Sequence, residues 1–256
     1  MANLDAFVRV IKGEFPDDRL TWQKGIATFH PESAAEAAGL FGLANEHRQP
    51  LFITGFGNNI EPAGEAFAGL VAVRTDRLNR FLDVSKEDFA VEVGAGYPLR
   101  ELNDRLRAEE LYLPHAALPY VGSAGGAVAV GLAGELHGAE VPIKKYFITA
   151  EIVTGEGEII QPGSRCFKSV SGYDIVRIFA GAWGLLGLIV RATFRVMPIA
   201  GAGDFATMRQ RAITRSPLAA ALDRDNDAAD AVYSRKIKDK FDPRGVLPAV
   251  ERAGSL

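Results

Sequence analysis

The apolar positions of the first hundred residues follow two spacings, one typical of helices and one typical of strands. Ser33 and Glu36 form an S-x-x-E capping box, which predicts the start of an amphipathic helix that ends near the Gln49-Pro50 break. Behind this box four apolar residues recur at i, i+3, i+4 and i+7: Ala37, Leu40, Phe41 and Ala44.

Shorter runs with helical or strand spacing predict further elements. They are strands at residues 50–53 and 69–73, a strand in which Phe89, Val91 and Val93 alternate, and a helix in which Leu99, Leu102 and Leu106 share one face. Because strands alternate with helices here, we expect a mixed α/β arrangement for this part of the chain.

The pattern after residue 115 is that of longer, paired strands. Residues 147–153 lead through Gly155-Glu156-Gly157 to residues 158–160, which predicts a hairpin. A later strand alternates apolar with polar residues and ends at Pro198: Val190, Ala192, Phe194 and Val196 against Arg191, Thr193 and Arg195. This alternation predicts one buried face and one solvent face.

These changes of pattern predict one domain over residues 1–198, with lobes of about residues 1–115 and 116–198. Residues 199–256 are richer in charged residues and alanine, so we expect them to form a short, peripheral helical tail.

Composition excludes several classes of function. With 256 residues, 48% of them hydrophobic, and a net charge of −3, the chain can bury a full core and offers no basic surface for nucleic acid. The single cysteine, Cys166, excludes an internal disulfide and fits a cytoplasmic location. Residues 1–15 lack the apolar stretch of a signal peptide. The uncharged stretch 116–134 contains Pro119 and five glycines, so we expect no membrane span.

Known motifs for metals and nucleotides are weak or missing. The four histidines, His30, His47, His115 and His137, stand at no metal-ligand spacing, so we expect no metal site. Gly94-Ala95-Gly96 follows a predicted strand, but the third glycine of a dinucleotide fingerprint is replaced by Leu99. The sequence has no G-x-x-x-x-G-K-[ST] motif, which argues against a phosphate-loop hydrolase.

Three glycine-rich stretches, at residues 54–59, 122–138 and 181–187, carry the chemistry. None of the three contains a lysine or an arginine. A diphosphate held there would therefore be held by backbone N–H groups, which glycine allows to approach closely.

The order of these segments resembles the FAD-binding, PCMH-type domain of the vanillyl-alcohol-oxidase family over nearly the whole chain. The matching segments are Pro31-Glu32-Ser33 with residues 44–47, the loop 54–59, residues 119–126, residues 168–177 with 181–190, and residues 236–247 near the C-terminus. Among members of this family, the chain looks most like the E-type subunits of bacterial glycolate oxidase. The resemblance implies an α+β fold with a small mixed lobe and a larger lobe whose antiparallel sheet is flanked by helices.

The same resemblance implies the residues that hold FAD, largely through backbone contacts. They are Thr54, Gly55, Phe56, Gly57, Asn58, Asn59, Pro119, Gly122, Ser123, Ala124, Gly125, Gly126, Val128, Ala129, Gly138, Trp183, Gly184, Gly187, Leu188, Ile189 and Val190. Relatives with covalent FAD often use a histidine in the first loop; since this loop has none, we expect non-covalent FAD. The resemblance assigns no catalytic residue.

The resemblance also implies that the substrate cap domain is largely absent, because only residues 199–235 separate Pro198 from the closing segment. We therefore expect an FAD-dependent oxidoreductase subunit of a 2-hydroxy-acid dehydrogenase complex, with a second flavoprotein and an iron–sulfur subunit, or a homo-oligomer. Two other hypotheses stay open: a non-catalytic scaffold subunit, and a nicotinamide-using reductase that resembles the enolpyruvyl reductase of cell-wall synthesis.

Overall fold

A computed structural model of the protein describes residues 4–120, 122–164, 175–214, 218, 222 and 229–249. The α-helices of this part are α1 (Leu4–Glu14), α2 (Ala34–His47), α3 (Leu102–Leu106), α4 (Ala124–Ala129) and α5 (Ala229–Phe241). Shorter 3-10 helices lie at Asp17–Arg19, Glu65–Phe67, Thr75–Arg77, Leu99–Glu101, Arg107–Glu109, Pro114–Ala117, Ile143–Lys145, Ile175–Phe179 and Ile199–Phe205.

The strands are β1 (Leu20–Gln23), β2 (Ile26–Phe29), β3 (Leu51–Thr54), β4 (Val71–Arg74), β5 (Phe81–Ser85), β6 (Ala90–Gly94) and β7 (Leu111–Tyr112). They continue with β8 (Ala133–Leu136), β9 (Ala139–Pro142), β10 (Phe147–Thr154), β11 (Ile159–Ile160), β12 (Gly187–Arg195), β13 (Met197–Pro198) and β14 (Arg209–Gln210). The mixture of helices and several sheets confirms the α+β class.

The first sheet has the order β1-β2-β4-β3, in which the pairs β2–β4 and β3–β4 are parallel. The predicted capping box starts the helix α2, since the Ser33 side chain accepts a hydrogen bond from the Glu36 N–H. Its apolar face, with Leu40 and Phe41, is fully buried. These residues pack in one core with apolar side chains of α1 and of the sheet, including Phe7 and Phe29. The helical spacing in the sequence thus places α2 on the sheet, and β3 carries the chain towards the first glycine-rich loop.

The second sheet is antiparallel, with the order β11-β10-β12-β6-β5. The hairpin predicted around Gly155-Glu156-Gly157 joins β10 to β11. The chain passes from the first sheet to the second between Arg74 and Phe81, well before residue 115. The division into two lobes itself remains a prediction.

Two sequence expectations about this sheet are wrong. Thr193 is buried, at 2% exposure, because β12 lies between two cores. Leu188 packs in the first core, which contains Leu40 and Phe41, and Ala192 packs in a second core, which contains Val93 and Phe147. Phe89 lies outside β6 in a turn, with φ of 49° and 38% exposure. Its left-handed backbone ends the turn before the strand begins.

The C-terminal segment is not peripheral, contrary to the sequence expectation. Val246 and Leu247 are each 2% exposed and belong to the first core. The Leu51 N–H donates a hydrogen bond to the Val246 carbonyl at 2.7 Å, which ties this segment to the start of β3. The helix α5 fits the helical expectation for the tail, whereas much of residues 215–228 lies outside the described residues.

Within the described ranges, no helix is both long and apolar enough to cross a membrane.

Candidate functional site

A cavity of about 510 Å³ lies where the ends of β3 and β12 meet the helix α4 and the C-terminal segment. Its volume falls in the ordinary range of small-molecule and cofactor sites, and most of its lining is apolar. All three glycine-rich stretches contribute to the wall. The fold therefore gathers into one site three separate stretches, of which the first and the third lie more than a hundred residues apart in the sequence.

The first loop, residues 54–59, leaves β3 and lines the cavity along its whole length. None of the N–H groups of residues 55–59 donates a hydrogen bond to another described residue. Gly57 has φ of 81°, a left-handed conformation that side chains with a Cβ adopt at a cost. Such a run of unpaired backbone donors is the kind of nest that binds an anion.

The second stretch approaches this loop very closely. Ser123 caps α4, since its Oγ accepts a hydrogen bond from the Gly126 N–H. A Cβ on Gly55 would lie 2.7 Å from that same Oγ. A side chain at position 55 would therefore have to displace the Ser123 hydroxyl, whereas glycine lets loop 54–59 and the start of α4 share one wall.

A polar pair links the same two stretches inside the cavity. The Asn59 side-chain amide donates to the Tyr120 hydroxyl at 3.4 Å, and both residues line the cavity. Burial raises the pKa of Tyr120, against a smaller opposing effect of the Asn59 hydrogen bond. The phenol is thus neutral at physiological pH and is a poor base.

The third stretch passes along the opposite wall before β12 begins. Trp183 has φ of 52°, and its N–H donates to the Ala129 carbonyl at the end of α4 at 2.9 Å. Its side-chain Nε1 is buried without a hydrogen-bond partner in the described structure. A strained aromatic residue with an unpaired donor beside a cavity is typical of sites shaped for a ligand and not for stability.

Lys238 fastens this third stretch to the C-terminal segment. Its Nζ donates to the carbonyl of Leu185 at 2.6 Å and to that of Leu247 at 2.8 Å, and it also pairs with Asp242. Leu247, Pro248 and Ala249 line the cavity. Sequence reasoning missed these three residues; the family-like segment 236–247 was the signal that could have found them.

The predicted site residues divide into two groups. Those that line the cavity are Thr54, Gly55, Phe56, Gly57, Asn58, Asn59, Gly122, Gly125, Gly126, Ala129, Trp183, Gly184, Gly187, Leu188 and Ile189. Those outside the lining are Pro119, Ser123, Ala124, Val128, Gly138 and Val190.

The second group has other positions in the fold. Ala124 and Val128 are fully buried on the core side of α4, and Val190 packs in the first core. Pro119 is exposed. Gly138 forms, with His137, the tight turn between β8 and β9. Part of the motif at 168–177, Cys166 and Val121 lie outside the described residues.

The described lining contains no charged side chain. No cluster of histidine, cysteine and acidic side chains suited to a metal occurs in the described ranges. His30 bonds to Asp76 at 2.8 Å, and His115 is buried in the second core region, where its Nε2 contacts the Val141 carbonyl. Burial lowers the pKa of His115 to about 4, so it is neutral near pH 7.

A protein-family model described as an FAD binding domain matches residues 26–163. The matched region includes two of the three glycine-rich stretches of the cavity and covers more than half of the chain. The chain belongs to this FAD-binding family. The unpaired N–H groups of the first loop and the apolar walls fit FAD, which combines a diphosphate with two aromatic ring systems.

Curated relatives agree with this family. The chain is 26% identical over 168 residues to a D-lactate dehydrogenase of Archaeoglobus fulgidus, covering 66% of this chain and 38% of the relative. It is 29% identical over 113 residues to the glycolate oxidase subunit GlcE of Escherichia coli, covering 43% of this chain and 32% of that subunit. The chain thus spans well under half the length of these relatives.

A solved structure supports the fold. An alkyldihydroxyacetonephosphate synthase superposes with a TM-score of 0.62 at 21% identity, over 76% of this chain and 40% of that one.

We expect that replacing Gly55 or Gly57 with valine lowers the affinity of this FAD-binding domain for FAD by roughly tenfold or more. At position 55 the new side chain must displace Ser123, and overpacking of this kind costs about 1–3 kcal/mol. At position 57 the positive φ strains a β-branched residue. Fluorescence titration with FAD measures the change.

Gly69→Val is the matched control, because Gly69 is exposed and a Cβ there meets no atom within 4 Å. Melting curves of the flavin-free proteins separate lost binding from lost folding. Unchanged FAD affinity in both loop variants would remove residues 54–59 from the site.

Proposed function

We propose that this chain binds FAD non-covalently in the cavity and serves as the flavin-carrying part of an oxidoreductase that acts on a 2-hydroxy acid. The observation that carries the proposal is the meeting of three glycine-rich stretches around one apolar cavity, where the N–H groups of residues 55–59 donate to no other described residue. The names of the relatives, D-lactate dehydrogenase and a glycolate oxidase subunit, support the substrate class.

The loop 54–59 would hold the diphosphate through its N–H groups. Tyr120 and Trp183, both in the lining, offer aromatic surface to the ring systems, and the stretch 183–189 closes the opposite wall. When bound, the flavin supplies an acceptor for a hydride from the substrate.

The substrate half of the site is incomplete in the described structure. Among the described lining residues, Tyr120 is the only titratable one, and its raised pKa keeps it protonated. Oxidation of a 2-hydroxy acid requires a base for the hydroxyl proton and cationic groups for the carboxylate. We infer that these groups come from outside the described lining, and from a partner subunit or a second copy in the arrangement proposed here.

The non-covalent state is supported by the side chains of the site. Neither histidine nor cysteine occurs among the described lining residues. We expect that acid precipitation of the purified yellow protein releases essentially all flavin into the supernatant, and that an absorption spectrum of the supernatant recovers it.

Yellow colour that stays with the washed pellet would contradict non-covalent binding, and Tyr120, His137 and Cys166 would then be the residues to substitute. Free FAD mixed with an unrelated acid-precipitated protein serves as the control for trapping. A purified protein that is colourless and does not take up added FAD would favour the scaffold hypothesis. The cytoplasmic location stays a prediction.

A further inference from the structure

Arg74 lies directly behind the first glycine-rich loop. It ends β4 and pairs in parallel register with Thr54, the residue at which β3 enters the loop. Its guanidinium, with a side chain 19% exposed, donates to the Phe56 carbonyl at 3.0 Å. Arg74 is absent from the cavity lining and instead faces a small pocket with Gln23 and Glu61. It therefore reaches the loop from the side away from the cavity.

Several contacts hold this guanidinium in place. Gln23 accepts a hydrogen bond from it at 2.7 Å, and Asp76 lies 3.7 Å from its Nε. Asp76 in turn bonds to the ring Nδ1 of His30 at 2.8 Å, and the other ring nitrogen contacts the Thr21 hydroxyl at 2.9 Å. A partly buried chain of polar contacts thus holds the guanidinium of Arg74 in the position from which it contacts the loop.

The contact between Arg74 and the Phe56 carbonyl also orients the N–H of Gly57, because both groups belong to one peptide unit. In a trans peptide the C=O and the N–H of one peptide unit point in opposite directions, and the described chain has no cis peptide. When Arg74 holds the Phe56 carbonyl on one side, the N–H of Gly57 must face the other side. Gly57 lines the cavity and its N–H donates to no other described residue, which is consistent with an N–H directed into the cavity.

We propose that Arg74 is a positioning residue for anion binding: it orients the Phe56–Gly57 peptide towards a bound diphosphate and adds a positive charge behind the loop. The inference rests on the proposed FAD site and deepens it. It also supplies a cation behind the loop, although Asp76 pairs with it and the described lining holds no charged side chain.

The test compares FAD with two of its parts. ADP contains the diphosphate and the adenosine of FAD, and riboflavin contains the flavin ring system without any phosphate. Arg74→Met should weaken FAD and ADP by about tenfold to a hundredfold, the range for losing a charge-assisted contact. Riboflavin affinity should be unchanged. Fluorescence titration serves for the flavins, and calorimetry serves for ADP.

Two more variants separate the effect of the Arg74 hydrogen bond from the effect of its charge, and melting curves test for misfolding. Arg74→Lys keeps the charge but loses the planar fork, and Arg74→Gln keeps an amide donor without the charge; each should lose less affinity than Arg74→Met. Arg77→Met is the matched control, because Arg77 pairs with Asp18 and Glu32. Melting curves establish that each variant is folded.

Equal losses for riboflavin and ADP in the folded variants, or unchanged affinity for FAD and ADP, would overturn the role of Arg74. A wild-type chain that binds ADP in an Arg74-dependent way but not FAD would leave this inference standing and defeat the proposed function. A wild-type chain that binds neither ligand would defeat both.

Discussion

Replacing Lys238 with methionine should lower the free energy of unfolding by about 3–5 kcal/mol, the usual cost of breaking a buried ion pair by removing one partner. The Lys238 side chain is 12% exposed and its partner Asp242 is fully buried. Burial lowers the pKa of Lys238, while the hydrogen bond and charge of Asp242 oppose that shift. Without the ammonium, the Asp242 carboxylate would remain in the core without an ion-pair partner among the described residues.

The loss should extend to the cavity, because Lys238 also binds the carbonyls of Leu185 and Leu247. Asp242 accepts hydrogen bonds from the N–H groups of Val246 and Leu247, each at 2.9 Å. The pair therefore joins two walls of the site. We expect the variant to bind FAD more weakly even under conditions in which it is folded.

Urea denaturation of the flavin-free protein measures the stability, and FAD titration measures the site. Lys240→Met, on an exposed position of the same helix, is the control and should change neither. The double variant Lys238→Met with Asp242→Asn should recover part of the stability, because no buried charge is left unpaired. A Lys238→Met protein as stable as the Lys240→Met protein would show that the ion pair does not hold this segment.

The isolated chain should bind FAD and yet oxidise no 2-hydroxy acid at an appreciable rate. General-base catalysis alone contributes about a hundredfold to ten-thousandfold, and the described lining offers only the protonated phenol of Tyr120. A hydroxy acid would also meet no cationic side chain there to hold its carboxylate. Anaerobic addition of glycolate or D-lactate should leave the flavin absorbance unchanged.

Dithionite provides the control, because it must bleach the same flavin if the cofactor is intact. Addition of the proteins encoded beside this chain should restore bleaching by the acid. Light scattering reports whether the chain associates with itself, as expected if a second copy covers the flavin. A monomer whose flavin bleaches rapidly with either acid would refute the incomplete-site hypothesis.

Local sequence patterns predicted the secondary structure correctly where the pattern depends on one helix or one hairpin alone. The capping box at Ser33 and the spacing of Leu40 and Phe41 predict α2 because neighbours on a helix face lie three and four residues apart. The hairpin at Gly155 was predicted from the glycine turn between two apolar runs. Strand alternation misjudged Thr193, because the burial of both faces of a strand depends on what packs against each face.

The glycine-rich stretches are visible in the sequence itself, whereas FAD as their ligand and the individual site residues followed from the resemblance to a family. Of the 21 predicted residues, 15 line one cavity. Gly138 shows where this reasoning ends, since a glycine in a hairpin turn and one beside a ligand look alike in sequence. Their difference lies only in what surrounds them.

Only the tertiary structure identified the side chains that support the site from distant positions in the sequence. Arg74 stands behind Phe56 because β3 and β4 pair in parallel, and no local pattern marks an arginine 18 residues away as part of a loop. Lys238 joins Leu185 to Leu247 across 53 and 9 residues. Periodicity records the environment of one element, whereas hydrogen bonds between distant segments are set by how the elements pack together. The sequence by itself therefore determined the elements and the class of cofactor, and packing decided which side chains support the site.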